Sequence, residues 1–567
     1  MHKLALLMTA VVTLLSSLSS HAQSSTEGAA EGANKSPPRY NLLLAGGNLR
    51  ICSTMQSNNC DDTRWIDRNT MRIERYLSLS ERNMKALLDD SLWPAHRRTM
   101  RDQVREALTI IKQRVNQDVM SEYTFMDEFG RRATAYVYDN LSDQEMRLIV
   151  DHLEMPTPTD RQEVVDLNMN IDLASRELVR GLVLQARSLT AEGQRPKVLV
   201  VTAAARDSLG AADFYTRLLE SAGADVTWLP IDAAVNSAQL TQRCAALADI
   251  RVELLATWQR AKVHPARHQQ QLDYCQNLTA GAELLRDAHG VFFADGSAHL
   301  LRQAMLTPLG QPTALTEAMY RRLQNQSLVV AAMGGASAAL TARAMLSGGS
   351  SEMAMKEGAR AADPAGGACD LDDSCPLGLN QDSLTYHPLG GLGWFSPAII
   401  DTEFTEKGRH GRLLRLAATT STPLALGIDE KTGLMVNTRT GAFEVIGRGG
   451  VFFSVAPVQN DSAVASTFHY VMAGSSGRFG DGDIADVQLA TAGRVVTEAP
   501  TTRFLSDRGL ADSLRLLCNE RDSVTALDGQ FRLTLLGDDS TTRQIAGGEC
   551  QVMNARMGIA WEPQKNL

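Results

Sequence analysis

The stretch Leu328-Val329-Val330-Ala331-Ala332-Met333-Gly334-Gly335-Ala336-Ser337-Ala338-Ala339 reads as a buried apolar strand running into two glycines, a small residue and a serine. A helix-like stretch follows. This is the pattern of a nucleophile elbow, where a sharp strand-to-helix turn exposes a serine hydroxyl and places neighbouring amides to stabilise an oxyanion; small flanking residues relieve the crowding. Ala339 stands where the commoner pattern has glycine. A tight structural turn is the plain alternative for the same residues.

Working outward, strands alternate with helices. Val198–Ala204 is an apolar strand, residues 213–219 read as helix, Val226–Leu229 as strand, and Gly290–Ala294 as a further strand before the one that ends near Ser337. Such alternation predicts an α/β fold with a doubly wound, mostly parallel sheet, whose sites lie at the carboxyl ends of the strands. Ala45-Gly46-Gly47, Ala203-Ala204-Ala205-Arg206, Ala294-Asp295-Gly296-Ser297 and Gly335-Ala336-Ser337 all fall at strand ends and are expected to converge. Residues 40–50 and 191–490 form this core. Between them, 51–190 is read as a helical insertion, with Val104, Leu108, Ile111 and Val115 at helical spacing; it covers the core or forms a lid. Residues 491–567 alternate in places and form a small β-rich extension.

The first 22 residues have the form of a secretory signal peptide: Lys3, an apolar stretch over 4–15, and Ser20-His21-Ala22 as cleavage site. Residues 23–39 read as a flexible linker. The mature chain is expected to be soluble, with no membrane span, and secreted or periplasmic. Its eight cysteines suit an oxidising compartment, and each neighbouring pair closes a local loop, so we expect Cys52–Cys60, Cys244–Cys275, Cys369–Cys375 and Cys518–Cys550. No Cys-x-x-Cys spacing calls for zinc, and no cofactor is expected. A net charge of -9 with no basic run excludes a nucleic-acid partner; 5% aromatic residues disfavour a stacking surface.

Several motifs, in order, resemble those of cyanophycinase, of the serine peptidase family that also contains dipeptidase E. They are Leu43-Leu44-Ala45-Gly46-Gly47, Thr202-Ala203-Ala204-Ala205-Arg206, Gly335-Ala336-Ser337-Ala338, residues 391–401, Gly408-Arg409-His410-Gly411-Arg412 and residues 426–432. The resemblance covers about 40–50 and 196–490. It implies a sandwich similar to class I glutamine amidotransferases, with Ser337 as nucleophile and Gly46, Gly47 and the Ala338 amide near the oxyanion. It also implies a peptide or cyanophycin-like polymer of β-aspartyl-arginine units as substrate. Arg409, Arg412, Lys407, Arg206 and Asp401 then bind substrate, guanidinium forks suiting carboxylates. A homodimer is admitted as the assembly.

Two departures bear on chemistry. Where the family motif reads Asp-Gln-His-Phe, this chain has Asp401-Thr402-Glu403-Phe404, and an unperturbed carboxylate is too acidic to activate serine efficiently. Ala298 stands near the altered turn whose family glutamine contacts substrate. His299, His410 and His387 are the alternative bases, and Glu352 the acidic partner; a lone histidine is otherwise structural. Two readings follow: a serine peptidase acting through a Ser337 acyl-enzyme, or an impaired relative with a peptide-binding or structural role. Asp370, Asp372 and Asp373 form an acidic loop, and Gly480–Asp486 a turn without an EF-hand glutamate.

Overall fold

Strands without polar alternation are strands covered on both faces, and the apolar runs of this chain take that place. A computed structural model describes residues 39–493, 499–519 and 522–562. The signal peptide and nearly all of the linker read from the sequence lie outside these residues.

The central nine-stranded sheet runs Ile484–Gln488, Ser476–Phe479, Ala442–Gly447, Thr432–Val436, Leu42–Ala45, Val329–Met333, Gly290–Phe293, Lys197–Val201, Asp225–Trp228. From Leu42–Ala45 to Asp225–Trp228 every pairing is parallel. From Leu42–Ala45 the other way every pairing is antiparallel. The sheet is therefore half parallel, where the sequence pattern predicted a mostly parallel one. The cause is connection length: a short link such as 437–441 allows only an antiparallel neighbour, whereas parallel neighbours need a crossover.

Alternate residues of the parallel strands feed two cores. Leu42, Leu44, Leu199, Val201, Val291, Phe293, Val330 and Ala332 pack on one face, against helices that include Ala233–Leu240 and Ala298–Met305. Leu43, Ala45, Val198, Val200, Phe292 and Ala331 face the other way, against Leu173–Arg187 and Ser208–Ser221. Leu173–Arg187, within the segment read as an insertion, thus belongs to the central layer.

A second sheet of eight strands runs from Ile399–Thr402 through Leu424–Ile428, Gly450–Gln459, Ala463–Met472, Glu549–Trp561 and Phe531–Leu536 to Ser523–Asp528, with Thr542–Ala546 pairing Glu549–Trp561. The C-terminal segment is not an appendage. Its long strand Glu549–Trp561 pairs with Ala463–Met472 and sends Val552, Ala555, Met557 and Ile559 into a core shared with the helices His410–Thr419 and Gly509–Cys518. The short link Asp429-Glu430-Lys431 carries the chain from this sheet to the central one.

The helices between residues 81 and 153, among them Arg98–Val115 and Asp143–Leu153, build their own core of Val104, Leu108, Ile111, Phe125, Phe129 and Ile149. Their attachment is ionic. Asp151 receives two hydrogen bonds from Arg206, at 2.8 and 3.1 Å, and faces buried Arg260, which also meets Glu154 and Asp207 at 2.7 Å each. The four disulfides join neighbouring cysteines in sequence order: Cys52–Cys60, Cys244–Cys275, Cys369–Cys375 and Cys518–Cys550. Among the described residues no helix is long and apolar enough to cross a membrane.

Candidate functional site

The strand Val329–Met333 ends one residue before the turn, and the residue at that turn is Gly334, with φ 54° and ψ -128°. Gly335–Ala338 is already helical. The strained tip of the elbow, where a nucleophile is presented, therefore carries no side chain. Ser337 lies one helical turn later. It is 0% exposed, and its hydroxyl proton faces the Ala332 carbonyl at 2.7 Å and the Ala45 carbonyl at 2.9 Å while its oxygen accepts from the Ala45 N–H at 3.1 Å. This serine ties the ends of two parallel strands together. The expectation that it stands exposed at the turn is corrected by this local register.

The space above Gly334 is filled. A Cβ added there would lie 1.8 Å from Oδ1 of Asp295, and one added at Gly47, whose φ is 88°, would lie 2.8 Å from Oδ2. The Asp295 carboxylate accepts from the N–H groups of Gly296 at 2.7 Å and Gly335 at 3.2 Å, and from the Asn48 backbone. In an elbow, the amide after the nucleophile position is an oxyanion donor. Here that amide belongs to Gly335, and an internal carboxylate occupies it. Burial, and then the nearby Glu403 carboxylate, raise the Asp295 pKa, while the three backbone donors oppose the rise.

Of the other residues expected at the oxyanion, Gly46 and Ala338 have their N–H groups committed to the backbone, and Gly47 its carbonyl. Gly46 donates to Thr432 O at 2.8 Å and accepts from Glu403 N at 3.1 Å; Gly47 O accepts from Lys431 N at 3.0 Å. The Ala338 N–H bonds to Gly334 O at 3.4 Å, inside its helix. The oxyanion-like donor at this mouth is thus Gly335, a residue the motif match passed over. Counting from the last strand residue, rather than from the serine, is the signal that finds it.

The charged residues of the Asp401–Arg412 segment pair with one another. Arg412 holds buried Asp401 through two bonds, Nε to Oδ2 at 2.8 Å and Nη2 to Oδ1 at 2.7 Å, and reaches Gly349 O. Arg409 donates to Thr402 O at 2.6 Å and lies 2.9 Å from Glu403. Burial and the neighbouring Arg412 lower the Arg409 pKa against the pull of the two carboxylates. Lys407 meets the same Glu403 oxygen at 2.9 Å. Glu403, at φ 47°, therefore faces two cations and the mouth but not the Ser337 hydroxyl, whose partners are all backbone.

The remaining candidates lie apart. Glu352 is an exposed helix residue paired to Lys356 at 2.6 Å. Arg206 serves the ionic joint to the helical region. His410 is fully buried between Phe404 and Phe504, both of its nitrogens lack a partner among the described residues, and burial pushes its pKa down to about 3. Ala298 is buried behind the N-cap Ser297. His299 turns away from Ser337 to contact His387. In the acidic loop both thiols are spent in the Cys369–Cys375 disulfide, so that cluster has no thiolate to offer a metal.

No family model matches the chain. Among solved structures it is similar to a peptidase from an acI-B1 Actinobacterium known from a crystal structure, with 16% sequence identity, a TM-score of 0.32, and coverage of 55% of this chain and 92% of that one.

Proposed function

We propose that this chain is an exported, catalytically silent relative of cyanophycinase-like serine peptidases, acting through peptide binding or assembly and not through hydrolysis. The observation that carries the proposal is the elbow itself: glycine at the tip, Asp295 over it, and Ser337 buried against backbone. A nucleophile must reach a carbonyl and an adjacent base must take its proton. The Ser337 hydroxyl does neither without breaking the strand ends apart. The four disulfides agree with an oxidising compartment.

The test is peptide release from insoluble cyanophycin and labelling by a serine-directed phosphonate, on the mature protein and two variants. We expect neither turnover nor label from the native protein. Ser337→Ala should change only stability, by about 1–3 kcal/mol, since the buried Ala45 N–H loses its acceptor. The triple variant Gly334→Ser, Asp295→Gly, Glu403→His rebuilds hydroxyl, space and base, and is expected to take up the phosphonate at residue 334. Turnover by the native protein that disappears in Ser337→Ala would overturn the proposal in favour of a Ser337 acyl-enzyme.

A further inference from the structure

We propose that His299, Asp363 and His387 form a binding site for one divalent transition-metal ion, Zn2+ by its ligand chemistry, at the wall of a solvent-open pocket. His299 Nδ1 and His387 Nε2 are 2.8 Å apart, and Asp363 Oδ1 lies 3.6 Å from the first and 3.8 Å from the second. A tetrahedral zinc site, with bonds near 2.1 Å, places its ligand atoms about 3.4 Å from one another. The three separations bracket that value.

Three segments supply the donors, two of them following paired parallel strands: Leu384–His387 lies beside Ala359–Ala361, which places His387 and Asp363 at the same end of one small sheet, and the helix carrying His299 meets them there. His299 is in the first turn of Ala298–Met305, His387 ends the strand Leu384–His387, and Asp363 lies just after Ala359–Ala361. The loop after Asp363 is held at two points: the Asp143 N–H bonds to Gly367 O at 3.1 Å, and the Cys369–Cys375 disulfide closes the turn beyond. The two imidazole planes lie within 13° of each other, with ring centroids 5.1 Å apart. Without a metal, one ring donates an N–H to the other.

Two imidazoles and one carboxylate select zinc and its neighbours over calcium or magnesium, which prefer all-oxygen sets. Three protein ligands leave a fourth position open. It faces a cavity of about 380 Å³ lined in part by Ser237, Thr241, Arg302 and Gln303. Gln303 adds an independent sign of a missing partner: its Oε1 is buried and has no donor among the described residues. Arg302, whose Nε is spent on Gly390 O at 2.9 Å, brings positive charge to the same cavity and favours an anionic group at the open position.

The site stands apart from the elbow, and its test does not use hydrolysis. The full mature protein with disulfides intact is stripped with EDTA, dialysed against Zn2+, and its metal content measured; Co2+ absorption reports coordination geometry. We expect a single equivalent, the intense bands of tetrahedral Co2+, no displacement by Mg2+ or Ca2+, and an affinity loss of about tenfold or more in each of His299→Gln, His387→Gln and Asp363→Asn. Asp363 is largely exposed, so its variant folds even if a histidine variant does not. Failure of the native protein to bind Zn2+, or binding unchanged in Asp363→Asn and in a folded histidine variant, would overturn the site.

Discussion

The mouth of the elbow and the His299–Asp363–His387 cluster begin on the same short segment, Asp295–His299, yet differ in how their polar groups are satisfied. At the mouth every group is answered from within: Asp295 by backbone amides, Ser337 by strand-end carbonyls, Asp401 by Arg412, Glu403 by Arg409 and Lys407. In the cluster two imidazoles have only each other and an exposed carboxylate, beside a cavity with an orphaned amide oxygen. Saturated polar networks are structural and costly to interrupt. Convergent ligand atoms that answer only one another are where a ligand belongs.

That contrast predicts opposite responses to substitution. The largest effect is expected at the mouth. Arg412→Ala leaves Asp401, which is about 2% exposed in its side chain, charged and buried without its fork. Removing one partner of such a pair costs about 3–5 kcal/mol, and urea unfolding should show it. If Arg412→Ala were neutral, the mouth would be an open charged site instead of a closed network.

A smaller effect follows from His410, behind the mouth. Its folded-state pKa, about 3, lies below the ordinary 6.5, so on acidification the unfolded chain takes up the proton first. The stability owed to the neutral buried ring is complete above pH 6.5 and is lost as pH falls toward 3, at about 1.4 kcal/mol per unit within that window. His387, held near 4, adds a loss of the same sign over a narrower window. Unfolding free energies from urea titrations at pH 6.5 and 4.5 should therefore differ by about 2–3 kcal/mol from His410 alone, and His410→Leu should remove that share. A slope unchanged in His410→Leu would assign the acid sensitivity to other groups.

The two regions were also unequally legible. Apolar runs located the strands at 42–45, 198–201, 226–228, 290–293 and 329–333, because burial on both faces leaves a continuous signal. The second sheet was hidden: nothing local in 549–561 says that it will pair with 463–472, since that choice is made by distant partners. At the elbow the error was one of register. The sequence match aligned on the serine, whereas the backbone turns at the first glycine after Met333 and puts Ser337 inside the helix. The metal-type cluster had two of its members in view, His299 and His387, but Asp363 comes beside His387 only because the short strand before it, Ala359–Ala361, pairs with Leu384–His387. Spacing along the chain carries no trace of such a meeting.

The smallest stability effect is expected where the functional effect is expected to be large. In metal-free protein, Asp363 is about 70% exposed, and its distances of 3.6 and 3.8 Å to the imidazoles make ion pairs only when a ring is protonated. Burial works against that protonation in both rings. Asp363→Asn should therefore leave the EDTA-treated protein within about 0.5 kcal/mol of native, as an exposed and mostly unengaged carboxylate does. The comparison is sharpened by repeating the unfolding with Zn2+ present: native protein should gain stability by ligand linkage, and Asp363→Asn should gain less. A large loss in the metal-free variant would mean that Asp363 holds its loop in place, and the cluster would then belong with the mouth, among the networks closed on themselves.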